Sequence, residues 1–321
     1  MAWSTQINGF VGTPLKIYFL NLIGLNSLEN ITVQVDAGNR GTIYADRWEY
    51  TPIKAECFEI AISMSDTDGN LIYNDKTTIS VKAASTSDGA SVLVIGDSTI
   101  APGAETQTLL NMASADNYNL TLLGTTGTNL NKYEGRGGWT AGTYVKTEMA
   151  SSITNPFYNP DVTSFDFDYY MKSQGYTDVD CVCIQLGIND IFGAQNDDIL
   201  NRYITNHISN MEKIINSIHS YNPNIKIIWN LILPGSTDQS KFEAAYGTRQ
   251  TADRHKQHTY LANLKIIEKI ATMDNVYVAH TNLSLDTTNN MEYGSGGGVH
   301  PATPGYEEIG QTLYGVIRAI N

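Results

Sequence analysis

The chain has 321 residues, enough for one large domain or two. Apolar residues make up 41%, which supplies a sizeable core and excludes a disordered chain. With 33 acidic against 20 basic residues the formal charge is −13, which argues against nucleic-acid or anionic-membrane partners, because neutralising phosphates needs clustered Lys and Arg.

The opening residues Met1-Ala2-Trp3-Ser4-Thr5-Gln6 lack the basic and long apolar regions of a signal peptide. The chain is therefore expected either not to use that export route or to have lost a leader. No apolar run approaches the ~20 residues of a membrane span. Short polar–apolar alternations fill the first ~85 residues, at Leu15–Ile23, Ile31–Val35, Phe58–Met64 and Thr77–Val81. This period-2 pattern of half-buried strands predicts a small all-β sandwich over residues 1–85. Asp68-Gly69, between Ile60–Ser65 and Leu71–Tyr73, is a hairpin turn signal. The small, polar stretch Ala83–Ala90 reads as a linker.

From residue 90 the pattern changes. Val92-Leu93-Val94-Ile95 is a continuous apolar run, as expected of a parallel strand buried on both faces. Similar runs follow at Leu120–Leu123, Val182–Leu186, Ile225–Leu233 and Val276–Ala279. Helical stretches lie between and after them, at about Glu105–Ala115, Asp197–Tyr221, Ala252–Thr272 and Thr303–Ile320. The alternation predicts an α/β domain with a parallel sheet over residues 90–321. Cys181 and Cys183 point the same way on a buried strand and are expected as reduced thiols. Together with Cys57 they form neither a disulfide framework nor a zinc site, and no metal or organic cofactor is expected.

In such sheets the chemistry sits at the carboxyl ends of the strands. The first strand ends in Gly96-Asp97-Ser98-Thr99, which presents a serine near a helix N-terminus, although Gly-Asp-Ser is also ordinary turn composition. A later one ends in Gly187-Ile188-Asn189-Asp190, where Asn189 offers either a side-chain N–H donor or a helix cap. Between them, Glu134-Gly135-Arg136-Gly137-Gly138-Trp139-Thr140 is rich enough in glycine for the backbone to approach a ligand, or to be a flexible loop. Near the C-terminus, Val299-His300-Pro301 holds a histidine just before the last helix, placed to act as a general base. The other histidines, His207, His219, His255, His258 and His280, read as structural.

The order Ser98, Gly138, Asn189, His300 resembles the four-block pattern of the SGNH (GDSL-type) hydrolases, over about Val92 to Ile320. Of the three loop glycines, Gly138 best fits the family's glycine because an aromatic residue and a threonine follow it. There is no Gly-x-Ser-x-Gly elbow, which disfavours an ordinary α/β-hydrolase. The resemblance implies a flavodoxin-like α/β/α sandwich and ester hydrolysis through an acyl-enzyme. It implies Ser98 as nucleophile and His300 as base. The oxyanion hole would be the Ser98 and Gly138 backbone N–H groups with the Asn189 side chain.

One family position departs. The aspartate usually found three residues before the histidine is Gly297 here. Either a backbone carbonyl orients His300 in a Ser-His dyad, or Glu292 or Asp286 reaches in, or the chain is inactive; the dyad is expected first. Arg136 and Trp139 suit a shallow site where a ring stacks on a sugar. The sequence has no long apolar lid, it has nineteen tyrosines, and its N-terminal β-domain is similar to the accessory domains of carbohydrate esterases. The expected substrate is therefore an acetylated polysaccharide or oligosaccharide. A lipase, thioesterase or aryl esterase on the same scaffold, or a glycan-binding protein on a decayed hydrolase fold, are the competing readings. The segment Asn155–Pro160 with Phe165–Met171 resembles an insertion of bacterial and prophage-encoded relatives. It is expected to line the cleft or to form a subdomain with its own core. By that analogy an extracellular or virion-associated location is expected.

Overall fold

Alternation in Glu56–Ser65 puts Phe58, Ile60, Ile62 and Met64 on one face of a strand, and all four are buried. Each contributes about 1.5–3 kcal/mol by leaving water. The next strand, Leu71–Lys82, pairs with it antiparallel across the predicted turn. There Asp66 Oδ1 accepts the N–H groups of Asp68 and Asn70. The computed structural model describes residues 2–83, 87–294 and 296–321; residues 84–86, the middle of the expected linker, and Ser295 in the glycine-rich tract lie outside the described residues.

The chain forms two compact units. One comprises Met1–Thr86, Leu231–Ala271 and Val278–Asn321; the other comprises Ser87–Asn230 and Thr272–Tyr277.

The first unit holds the β-sandwich. Its four-stranded sheet has the order Gln6–Phe10, Leu71–Lys82, Glu56–Ser65, Thr32–Asp36. A three-stranded antiparallel sheet has the order Leu15–Tyr18, Arg47–Tyr50, Thr42–Ile43. The shared core contains Trp3, Ile17, Trp48, Ile60, Ile62 and Ile79, together with Leu283 from far along the chain. The predicted strand Leu15–Ile23 is shorter in the structure: it ends at Tyr18, and Phe19–Ile23 is a helix that buries Phe19 and Leu22. Phe-Leu-Asn-Leu-Ile satisfies the helical period as well as the strand period, and burial decides it. Within this helix the Asn21 amide donates to the carbonyls of Asn282 and Leu285, both at 2.9 Å. Helices Gln239–Tyr246, Ala252–Ile270 and Thr303–Ile320 complete the unit.

The second unit is a parallel sheet with helices. Gly89–Gly96 pairs parallel with Asn119–Leu123 on one side and with Cys181–Gln185 on the other, and Lys226–Asn230 follows. Val276–Ala279, of which Val276 and Tyr277 belong to this unit, comes next in the order. Counted along the chain this is the 2-1-3-4-5 order of the flavodoxin-like fold, as predicted. Val92–Ile95 and Cys181–Ile184 are completely buried, which is why their sequences run apolar without alternation. Cys181 and Cys183 are buried free thiols, and Cys57 is an exposed one. The long helix Asp197–Tyr221 matches its predicted bounds; the Asn196 side chain caps it and two aspartates occupy its first turn.

The predicted insertion forms two short hairpins, Met149–Ala150 with Ile153–Thr154 and Tyr158–Asn159 with Ser164–Phe165, then the helix Phe167–Gln174. It has its own aromatic core of Phe157, Phe165, Phe167 and Tyr170. No helix among the described residues is long and apolar enough to cross a membrane.

Candidate active site

Ser98 follows directly on the carboxyl end of Gly89–Gly96. Gly96 is required there, because a Cβ would run into the Ile100 side chain. The neighbours of Ser98 point inward. Asp97 is buried, and its Oδ1 accepts both the N–H and the hydroxyl of Thr99 at 2.9 Å, which pins the turn. Ser98 itself stays partly exposed.

A buried polar chain continues beneath it. Gln185 Nε2 donates to Thr99 Oγ1 at 2.8 Å, and Asn230 Nδ2 donates to Gln185 Oε1 at 3.0 Å. Asn230 Nδ2 also lies 3.5 Å from Glu105 Oε1. Burial raises the Glu105 carboxyl to about 8, so it is a neutral acid at pH 7. Gln185 and Asn230 were not singled out from sequence. Each is a polar residue that closes the buried apolar stretch of a parallel strand, a signal that the sequence carries.

The glycine loop leaves Asn131–Gly135, and the Arg136 N–H bonds the Gly96 carbonyl at 3.0 Å, next to the Ser98 turn. The Trp139 N–H closes on the Arg136 carbonyl at 3.3 Å, forming a turn with Gly138 at its third position and φ +77°. Side chains other than glycine are strained there. Gly137 and Gly138 are exposed.

Asn189 lies in the helical turn Ile188–Ile191, and its Nδ2 donates to the Trp139 carbonyl at 3.0 Å. An amide carries two N–H donors, so one is spent on the glycine loop and a second remains in its inventory. Asp190 continues the attachment: its carboxylate accepts the Ala141 N–H, and it lies 3.2 Å from His207 Nδ1. The structure thus ties the Gly138 loop to the Asn189 turn.

Arg136 and Trp139 differ from expectation. Trp139 is 1% exposed, edge-on to Tyr144 at 4.9 Å. Arg136 is 4% exposed and lies 2.5 Å from Glu134, which is completely buried. A ring without an open face has nothing to stack on a sugar, so these two side chains brace the loop from inside.

His300 belongs to the first unit, before Thr303–Ile320. Its Nδ1 is 2.9 Å from the Gly296 carbonyl oxygen, which also accepts the His300 N–H at 3.2 Å. A carbonyl can only accept, so this bond requires the proton on Nδ1 and makes Nε2 the basic nitrogen of the neutral ring. The His300 carbonyl accepts from the Glu292 N–H at 2.9 Å. The Glu292 carboxylate lies where a Gly296 side chain would project, and a Cβ there would also be 3.2 Å from His300 Nδ1. Asp286 is engaged elsewhere: its carboxylate accepts the N–H groups of Thr288 and Asn289 and the Asn289 side chain. Among the other histidines, His255 and His280 are buried and held down to about 3, so both are neutral core residues.

Residues 94–308 match the model of the GDSL-like lipase/acylhydrolase family. The chain belongs to the GDSL-like lipase/acylhydrolase family. It is a hydrolase of acyl esters. No curated protein sequence matches it. Among solved structures this GDSL-like hydrolase is similar to a lipase from a goat rumen metagenome, at 13% identity over 72% of this chain and 98% of that one, TM-score 0.47. It is also similar to a proposed arylesterase from Agrobacterium tumefaciens, at 15% identity over 72% of this chain and 100% of that one, TM-score 0.45. A carbohydrate acetylesterase from Sinorhizobium meliloti matches at 15% identity over 70% of this chain and 96% of that one, TM-score 0.42.

Proposed function

We propose that the chain is a serine esterase that removes O-acetyl groups from a carbohydrate, with Ser98 and His300 as a catalytic dyad. His300 Nε2 takes the Ser98 Oγ proton while Oγ attacks the ester carbonyl. The tetrahedral oxyanion is held by the Ser98 and Gly138 N–H groups and the second N–H of the Asn189 amide. As the intermediate collapses, the carbonyl–oxygen bond breaks and His300 returns the proton to the departing sugar hydroxyl. Water then attacks the acetyl-enzyme, His300 taking its proton, and acetate leaves as Ser98 recovers its hydrogen.

The observation that carries this reading is the 2.9 Å approach of His300 Nδ1 to the Gly296 carbonyl. It supplies the tautomer that an aspartate normally enforces, and so answers the glycine at position 297. Preference for a carbohydrate rests on the missing apolar lid, the tyrosine-rich composition and the N-terminal sandwich. The test is acetate release from acetylated xylan compared with hydrolysis of an octanoyl ester, in wild type and Ser98→Ala. Release from the glycan that vanishes with Ser98 supports the reading; preference for the octanoyl ester makes the chain a lipase-type hydrolase. Glycan binding without release in either protein makes it a decayed hydrolase.

A further inference from the structure

The insertion in the second unit borders a cleft of roughly 400 Å³, lined among others by Arg136, Glu148, Tyr158, Tyr169 and Gln174. The floor is rigid. Phe157 stacks on Phe165 and Tyr170 at centroid distances of 4.7 and 4.2 Å, and the Tyr170 hydroxyl donates to Glu134 Oε1 at 2.9 Å. Glu134 also holds the Arg136 guanidinium, so the deep cation of the cleft is already neutralised. The exposed Glu148 adds negative charge at the surface. An anionic ligand therefore finds no cation to pay for its desolvation. An uncharged polyhydroxyl ligand instead meets the rings of Tyr158 and Tyr169, the latter 37% exposed, with an amide at Gln174. Two tyrosine rings beside an amide suit a sugar ring, whose C–H face packs and whose hydroxyls bond.

The cleft is also wired to the candidate active site. Arg136 stands two residues before Gly138, and its N–H is bonded to Gly96 beside the Ser98 turn. We infer that this cleft is a subsite for an uncharged sugar unit of the glycan chain, and that it, rather than Trp139, supplies the aromatic contact to carbohydrate. The inference deepens the carbohydrate-esterase reading and rests on it.

Isothermal calorimetry on the full chain with unacetylated xylohexaose, mannohexaose and cellohexaose, all uncharged, tests it without any turnover. At least one oligosaccharide binds the wild type. Tyr158→Ala and Tyr169→Ala each weaken that binding about tenfold, whereas Tyr158→Phe and Tyr169→Phe, which keep the ring, stay within about threefold. Melting temperatures of all four variants separate lost contacts from lost folding. Absence of binding by all three oligosaccharides overturns the inference. So do alanine variants that bind as wild type, or folded phenylalanine variants that lose as much as the alanines. Failure of the esterase reading registers separately, as no acetate released from acetylated xylan.

Discussion

The Gly296 carbonyl oxygen lies 2.9 Å from His300 Nδ1, in the place where a carboxylate would serve in a catalytic triad. A carbonyl fixes the tautomer and the ring plane but carries no full charge to stabilise an imidazolium. With that carbonyl in the orienting role, neither Glu292 nor Asp286 is essential. Glu292→Gln and Asp286→Asn are expected to keep turnover of p-nitrophenyl acetate within about tenfold of wild type, while His300→Ala abolishes it. A collapse of kcat in Glu292→Gln would instead assign the orienting role to that carboxylate.

Restoring the family aspartate is not expected to restore a triad. Gly297 is buried, and a Cβ on it would sit 2.9 Å from the carbonyl oxygens of both Gly294 and Lys241. Those are backbone atoms, so the loop must shift to admit any side chain. Gly297→Asp should lower the melting temperature and fail to raise kcat; differential scanning calorimetry and steady-state kinetics check both halves.

Asn189 does two jobs in the proposed mechanism, one bond to the Trp139 carbonyl and one to the oxyanion. Asn189→Ala removes the transition-state donor, which typically costs ~10²–10³ in turnover. It also frees the glycine loop. The fall should appear in kcat more than in KM, because the oxyanion forms only after substrate has bound.

Glu105 gives a pH signature. Its carboxyl is raised to about 8 in the fold from an ordinary value of 4.5. Between those values the folded protein holds a proton that the unfolded chain has released, so stability falls as pH rises through that window. Glu105→Gln keeps the shape and an acceptor for Asn230 while abolishing the titration. Urea denaturation from pH 4.5 to 8 should show a shallower decline for Glu105→Gln than for wild type. Parallel slopes would mean that the carboxyl ionises freely in the fold.

The sequence displayed the second unit more openly than its internal wiring. Short apolar runs such as Val92–Ile95, regularly alternating with long helical stretches, made the sheet strands legible. Phe19–Ile23 was not, because five apolar-rich residues satisfy both periods and only the burial of Phe19 and Leu22 selects the helix. Ser98, Asn189 and His300 stood out because a polar residue after a buried strand, or before a terminal helix, needs a reason. Trp139 misled for a physical cause: a tryptophan in a glycine loop reads as exposed, yet its ring packs inward against Tyr144. The Gly296 carbonyl could not be anticipated at all, since every residue has one and only the fold aims it.

Glu308 accepts from Lys16 Nζ and from the Tyr18 hydroxyl, both at 3.1 Å, and its other oxygen accepts the Asp286 N–H at 2.8 Å. The sandwich strand Leu15–Tyr18 thereby grips the start of the loop that runs on to His300. The sandwich is thus no detachable module that could be trimmed or grafted onto another hydrolase. A chain shortened to begin at residue 87 would bare the apolar surface around Leu283, remove the Lys16 and Tyr18 donors from Glu308 and loosen the ground on which the histidine stands.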